Sequence, residues 1–170
     1  IFLFIAYLVL VMFIYFYQRK LLYHPSENNY LDETNLNHKI EKIYVQSDTE
    51  LISWYYNNNK SHKTILFFHG NAGRLDNRVY KLNELAKLNI NYLIVAYRGF
   101  SGNEGKPSEE GIYKDSKAAK KWLNENGVDD KNIILYGESL GTAVAVDLAS
   151  KNKDVKLNKF SRTQTYGADA

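Results

Sequence analysis

The chain opens on a run without charge, glycine or proline, Ile1 to Tyr17, which ends abruptly at Gln18, Arg19 and Lys20. About 20 apolar residues cross the hydrocarbon of a bilayer, with a lower limit of roughly 17, so the run is just long enough to span one. Tyr15, Tyr17 and Tyr23, with Arg19 and Lys20, have the amphipathic character of an interfacial anchor. A cleaved signal peptide would end in small residues, whereas the stretch YFYQRKLLYHPS is bulky throughout. The pattern predicts a single-pass transmembrane anchor over residues 1–20; on hydropathy alone the alternative is a buried core helix. A first residue of Ile rather than Met implies that the span starts before this sequence does. The basic pair sets the side of the membrane only together with the charges of the other flank, so orientation stays open.

Beyond a linker over residues 21–37 the period changes. The stretch IEKIYVQSDTELISWYY holds two β-rich runs around the polar turn Ser47 to Glu50 and predicts a hairpin. After the loop of Asn57 to Ser61, KTILFFHG reads as a short strand buried on both faces that stops at Gly70. NRVYKLNELAKL has helical spacing, and NYLIVAYRG follows as a second buried strand. Pro107 is the expected first residue of a helix whose apolar stripe is Ile112, Ala118, Ala119, Trp122 and Leu123, closed by Gly127. NIILYG is a third buried strand, and Ser139 leads into the small-residue helix LGTAVAVDLAS. Strand and helix alternate from Lys63 to Ser150, which predicts an α/β fold with a mostly parallel sheet and helices on both faces.

Composition narrows the chemistry. The 170 residues fit one globular domain plus the anchor, and the formal charge of +3 comes from dispersed Lys and Arg without a dense basic run, which argues against a nucleic-acid partner. With no cysteine there is neither a disulfide framework nor a thiolate metal site, and His24, His38, His62 and His69 lack metal-ligand spacing.

Gly137, Glu138, Ser139, Leu140 and Gly141 spell G-x-S-x-G between a buried strand and a helix. Such a turn holds the serine strained, with its hydroxyl projecting from the sheet, and side chains at the flanking positions would collide. The loop after the first buried strand, His69 to Gly73, can turn backbone N–H groups toward an anion. The natural oxyanion pair is the N–H of Leu140 with that of Asn71 or Ala72. His69 precedes the serine, against the usual order of serine, acid and histidine, and reads as shaping the loop rather than as the base.

The strings LLYHPS (Leu21 to Ser26), FFHGNAG (Phe67 to Gly73), YRGFSGNEGKPSEEG (Tyr97 to Gly111) and LYGESLGTAVAVDLAS (Leu135 to Ser150) resemble the Bem46-type α/β-hydrolases over about Leu21 to Lys153. The resemblance implies the N-terminal half of an α/β-hydrolase fold behind a membrane segment, with Ser139 as nucleophile and Asn71 and Leu140 at the oxyanion positions. It implies a serine hydrolase of the esterase, thioesterase or peptidase-like kind, acting on a small acyl substrate or a lipid-like ester or thioester, with no cofactor. Tyr97, Arg98 and Gly99 belong to the signature and are expected to be structural.

Past the nucleophile helix the pattern fails. The tail KNKDVKLNKFSRTQTYGADA has no aliphatic run, and no histidine follows Ser139. Asp147 falls on the nucleophile helix and Asp154 and Asp169 in the tail, where surface carboxylates are expected rather than a triad acid. The expectation is therefore a hydrolase domain over 38–153 followed by a divergent tail over 154–170, from a truncated, frame-shifted or incomplete chain, weakly active or inactive as written. The strand Ile133 to Tyr136 would then be an unpaired apolar edge. The alternative function is a non-catalytic membrane-tethered remnant or interaction module.

Overall fold

The computed structural model describes residues 1–26, 35–58 and 61–157. Residues 27–34 of the predicted linker, the loop positions 59 and 60, and most of the tail with Asp169 lie outside these residues. The first helix, α1, runs Phe2–Leu22, five residues past the uncharged stretch, because Arg19 and Lys20 suit the negative end of a helix dipole. None of its residues is buried, and its roughly 31 Å of length at 1.5 Å per residue matches the hydrocarbon thickness of a bilayer.

Short β1 (His24–Pro25) follows, then the predicted hairpin of β2 (Glu41–Gln46) and β3 (Glu50–Tyr56), paired from Glu41 with Tyr55 to Gln46 with Glu50. The turn closes where Ser47 N–H donates to the Thr49 carbonyl at 3.0 Å. The chain continues through β4 (Thr64–Phe68), β5 (Ala72–Gly73), a 3₁₀ turn and α2 (Val79–Lys87), β6 (Asn91–Val95), and α3 (Glu109–Glu125). β7 (Ile133–Gly137), α4 (Leu140–Lys151) and β8 (Lys156–Leu157) complete it. The main sheet has the order β2-β3-β6-β4-β7-β8, antiparallel in the hairpin and against β6, and parallel thereafter.

Every residue of β4 and of β6 is buried, as their unbroken apolar runs require, and their alternate side chains feed two cores. Ile65, Phe67, Tyr92 and Ile94 join Leu75, Val79 and Leu82 on the α2 face. Leu66, Phe68, Leu93 and Val95 join Ile112, Ala119 and Leu123 of α3 and Val144, Ala145 and Leu148 of α4 on the other. The chain leaves β4 toward the hairpin side to form β6, then crosses back over β4 to form β7. This reversal opens a crevice at the C-terminal end of β4, where open α/β sheets place their ligands.

Two expectations are corrected. Pro107 lies outside α3: Ser108 is the N-cap, its hydroxyl accepting from Gly111 N–H at 3.2 Å, an N-terminal closure that proline could not provide. The edge of β7 is not bare, since Ile134 and Leu135 pair with Lys156 and Leu157, and Val155 is buried in the core. Two residues suffice to cover part of an edge, and no hydrophobic period is visible in so short a piece.

Candidate active site

The register aligns Phe68 at the end of β4 with Gly137 at the end of β7, so the loops that leave these strands start side by side. The pairing continues one step further, Glu138 N–H donating to the Phe68 carbonyl at 2.9 Å. The next residue, Ser139, takes φ 51° and ψ −115°, a conformation that costs a non-glycine residue about 1–3 kcal/mol and persists only where the surroundings enforce it. The surroundings do. A Cβ on Gly137 would overlap the Gly141 backbone, and one on Gly141 would overlap the Phe68 carbonyl, so both glycines of the motif are required by close approach. α4 then starts at once, with Gly141 N–H on the Glu138 carbonyl and Thr142 N–H on the Ser139 carbonyl, each at 2.9 Å. Ser139 is exposed above this turn, and the N–H of Leu140, in the first turn of α4, has no carbonyl one turn back to receive it.

The loop after β4 lies against this turn: a Cβ built on Gly70 would stand 3.5 Å from the Ser139 Cβ. Asn71, the next residue, is half-buried and held from the other side. Its carbonyl accepts from His24 N–H at 2.9 Å, and its Nδ2 donates to the Leu22 carbonyl at 2.9 Å. β1 and β5 pair in parallel, His24 with Ala72 and Pro25 with Gly73. The chain leaving the apolar helix is thus stitched to the loop that carries Asn71. The sequence does not signal this contact, because two-residue strands carry no period.

Glu138 forms an ion pair with Lys81 of α2 at 2.9 Å, with the nearly buried Arg78 guanidinium at 4.0 Å. Arg78 also donates to the Arg74 carbonyl at 3.1 Å, which ties the far end of the loop to the turn.

His69 is fully buried. Its Nδ1 donates to the Gly70 carbonyl at 2.7 Å, and its ring packs on Tyr97 with centroids 4.2 Å apart, while the Tyr97 hydroxyl donates to the His69 carbonyl at 3.1 Å. Burial, reinforced by Arg78, pushes the imidazole pKa down to about 3. Among the described residues no imidazole hydrogen-bonds Ser139, and His69 packs as a wall of the loop. Asp147 sits on α4 in an ion pair with Lys151, and Asp154 is exposed beyond it; neither stands at Ser139. No cluster of three or more metal-ligating side chains occurs among the described residues.

Residues 17–160 match the family model described as Chlamydia CHLPS protein (DUF818). The chain is 33% identical over 159 residues to protein bem46 of Schizosaccharomyces pombe, covering 86% of this chain and 53% of that protein. It spans about half the length of the curated relatives it matches, 54% and 53% for two of them. Among solved structures, an α/β-hydrolase from Vibrio vulnificus superposes with a TM-score of 0.63 at 30% identity, covering 71% of this chain and 45% of that one. The Pyrococcus furiosus esterase Pf2001 superposes with a TM-score of 0.66 over 79% of this chain and 55% of its own, and at 24% identity it attests the fold. With the doubly covered sheet and the turn at Ser139, these matches show that the chain belongs to the DUF818 family and to the Bem46-type α/β-hydrolases.

Proposed function

We propose that this chain supplies the nucleophile and the oxyanion donors of a membrane-anchored serine hydrolase that acts on ester or thioester acyl groups. The observation that carries the reading is the strained, exposed Ser139 on a turn whose glycines make direct backbone contact with the neighbouring strand. In this reading Ser139 Oγ attacks the substrate carbonyl. The resulting oxyanion accepts from the N–H groups of Leu140 and Asn71, with the positive end of the α4 dipole behind them. The C–O or C–S bond of the substrate then breaks, the alcohol or thiol leaves with the proton that a base has taken from Ser139, and water cleaves the acyl-serine ester to give the carboxylic acid and free Ser139. The Pf2001 neighbour is an esterase, and ester-type chemistry is proposed for this chain by that likeness. The helix Phe2–Leu22 is long and apolar enough to cross a membrane and is proposed as the anchor. Residues 38–153 are proposed as the hydrolase part.

Serine needs a base, and loss of the triad base costs about 10⁴- to 10⁶-fold in kcat. His69, neutral and buried, is not placed for that role, which favours a second reading in which the 170-residue chain by itself is a non-catalytic tethered module. A fluorophosphonate probe separates the two. The 170-residue chain is expected to remain unlabelled, whereas a form carrying the sequence encoded beyond residue 170 is expected to label, with loss of signal on Ser139→Ala. Strong Ser139-dependent labelling of the 170-residue chain would mean that a base has been overlooked. A longer form that stays unlabelled would decide for the tethered module.

A further inference from the structure

Where α1 meets the domain, a recess of about 520 Å³ opens between the end of the helix and the loop that precedes α3. Arg19 and Lys20 of the last helical turn, His24 and Lys106 line it, over a floor that includes Tyr23 and Pro107. No carboxylate lines it, and Arg19, Lys20 and Lys106 form no ion pair among the described residues. Lys20 Nζ lies 5.8 Å from the Tyr17 ring, a contact that leaves its charge available. Glu109 and Glu110 line a different recess, which adjoins this one at Arg19 and Tyr23. We propose that the basic recess binds the phosphate of an anionic phospholipid headgroup.

The sequence separates Lys106 from Lys20 by the hairpin, four further strands and α2, and the fold brings the two together. The loop that presents Lys106 is built before any ligand arrives. Gly99 N–H donates to the Asn103 and Glu104 carbonyls at 3.1 and 3.2 Å, and Gly99 packs so tightly on Pro107 that a Cβ there would collide with the ring. Position favours a lipid over a soluble anion. The recess lies at the basic end of a 21-residue apolar helix with no buried residue, the level at which headgroups sit. Three cations there, with no ion pair among the described residues, attract an anionic leaflet, each contributing about fivefold in binding. Pro25 and Pro107, both partly exposed, offer apolar contact to the glycerol side of the headgroup. The occupant would also rest on His24, whose N–H holds the Asn71 carbonyl, and so on the strand that supports the candidate oxyanion loop.

This inference rests on the proposed anchor and is independent of Ser139 chemistry. The test uses the full chain in phosphatidylcholine nanodiscs with graded phosphatidylglycerol, reading the thermal midpoint of unfolding. The midpoint is expected to rise and saturate with phosphatidylglycerol. Lys106→Gln is expected to weaken the apparent affinity about fivefold, and Lys117→Gln, an exposed lysine of α3 outside the recess, to leave it unchanged. A chain retained in the disc without any dependence on phosphatidylglycerol would overturn the headgroup site alone. Equal effects of the two lysine variants would do the same, pointing to diffuse attraction. An identical rise with inorganic phosphate in pure phosphatidylcholine discs would assign the recess to a free anion. A chain that never enters the disc would overturn the anchor, and this proposal with it.

Discussion

Ser139 and His69 are neighbours in the fold and opposites in environment. The glycine spacing around Ser139 already implies the turn, because only backbone can pass where Gly137 and Gly141 meet the ends of β7 and β4. The state of His69 is illegible in sequence, since it follows from the rings of Tyr97 and Phe100 closing over it from the loop after β6. Its consequence is a pH dependence with a definite sign. The unfolded imidazole takes a proton near pH 6.5, whereas the folded one resists until about 3. The unfolded state therefore binds more protons in that window, and stability falls as pH drops through it, by up to about 1.4 kcal/mol per pH unit. His38, whose pKa burial also lowers, adds a slope of the same sign. In detergent-solubilised chain, His69→Gln is expected to flatten the plot of urea midpoint against pH between about 4 and 6. An equally steep plot would show that His69 is protonated in the folded protein.

Among the elements, the hairpin is locked to α3 by one buried carboxylate. Asp115 accepts from the Arg98 backbone N–H at 3.0 Å, from its guanidinium at 2.7 Å, and from the Ser47 hydroxyl in the hairpin turn at 2.9 Å. The hydrogen bonds to Asp115 raise the Arg98 pKa, and the Arg98 side chain is only 12% exposed. Asp115→Ala leaves that guanidinium only the exposed Asp48, 3.3 Å away, as counter-charge and is expected to destabilise the domain by about 3 kcal/mol, measured by urea denaturation. Asp115→Asn keeps acceptor oxygen and is expected to cost less. Equal losses for the two variants would refute a charge-based clamp. The elements it joins are readable in the sequence, where alternation marks β2 and β3 and the stripe from Ile112 to Leu123 marks α3. The clamp is not: the resemblance marks Arg98 as structural, but nothing local pairs it with Ser47 and Asp115, and Asp115 looks like an ordinary surface carboxylate until the fold buries it.

At the scale of the whole molecule, the apolar helix and the α/β domain are joined without slack. Tyr23 is buried in the core directly after Leu22, and the next two residues pair with the loop at Ala72 and Gly73. The chain is expected to stay in the membrane pellet through high-salt and alkaline carbonate washing; its release would contradict a spanning anchor. The sequence by itself determined the secondary elements, their alternation, the apolar helix and the glycine-flanked turn at Ser139, because periodicity, run length and glycine spacing act over a few residues. Only the tertiary structure decided the strand order, the cover of the β7 edge by β8 and the burial of His69. It also decided the stitching of His24 to the Asn71 loop and the gathering of Lys106 with Arg19 and Lys20. These depend on which distant segments the hydrophobic faces bring into contact, and no local pattern encodes such a meeting.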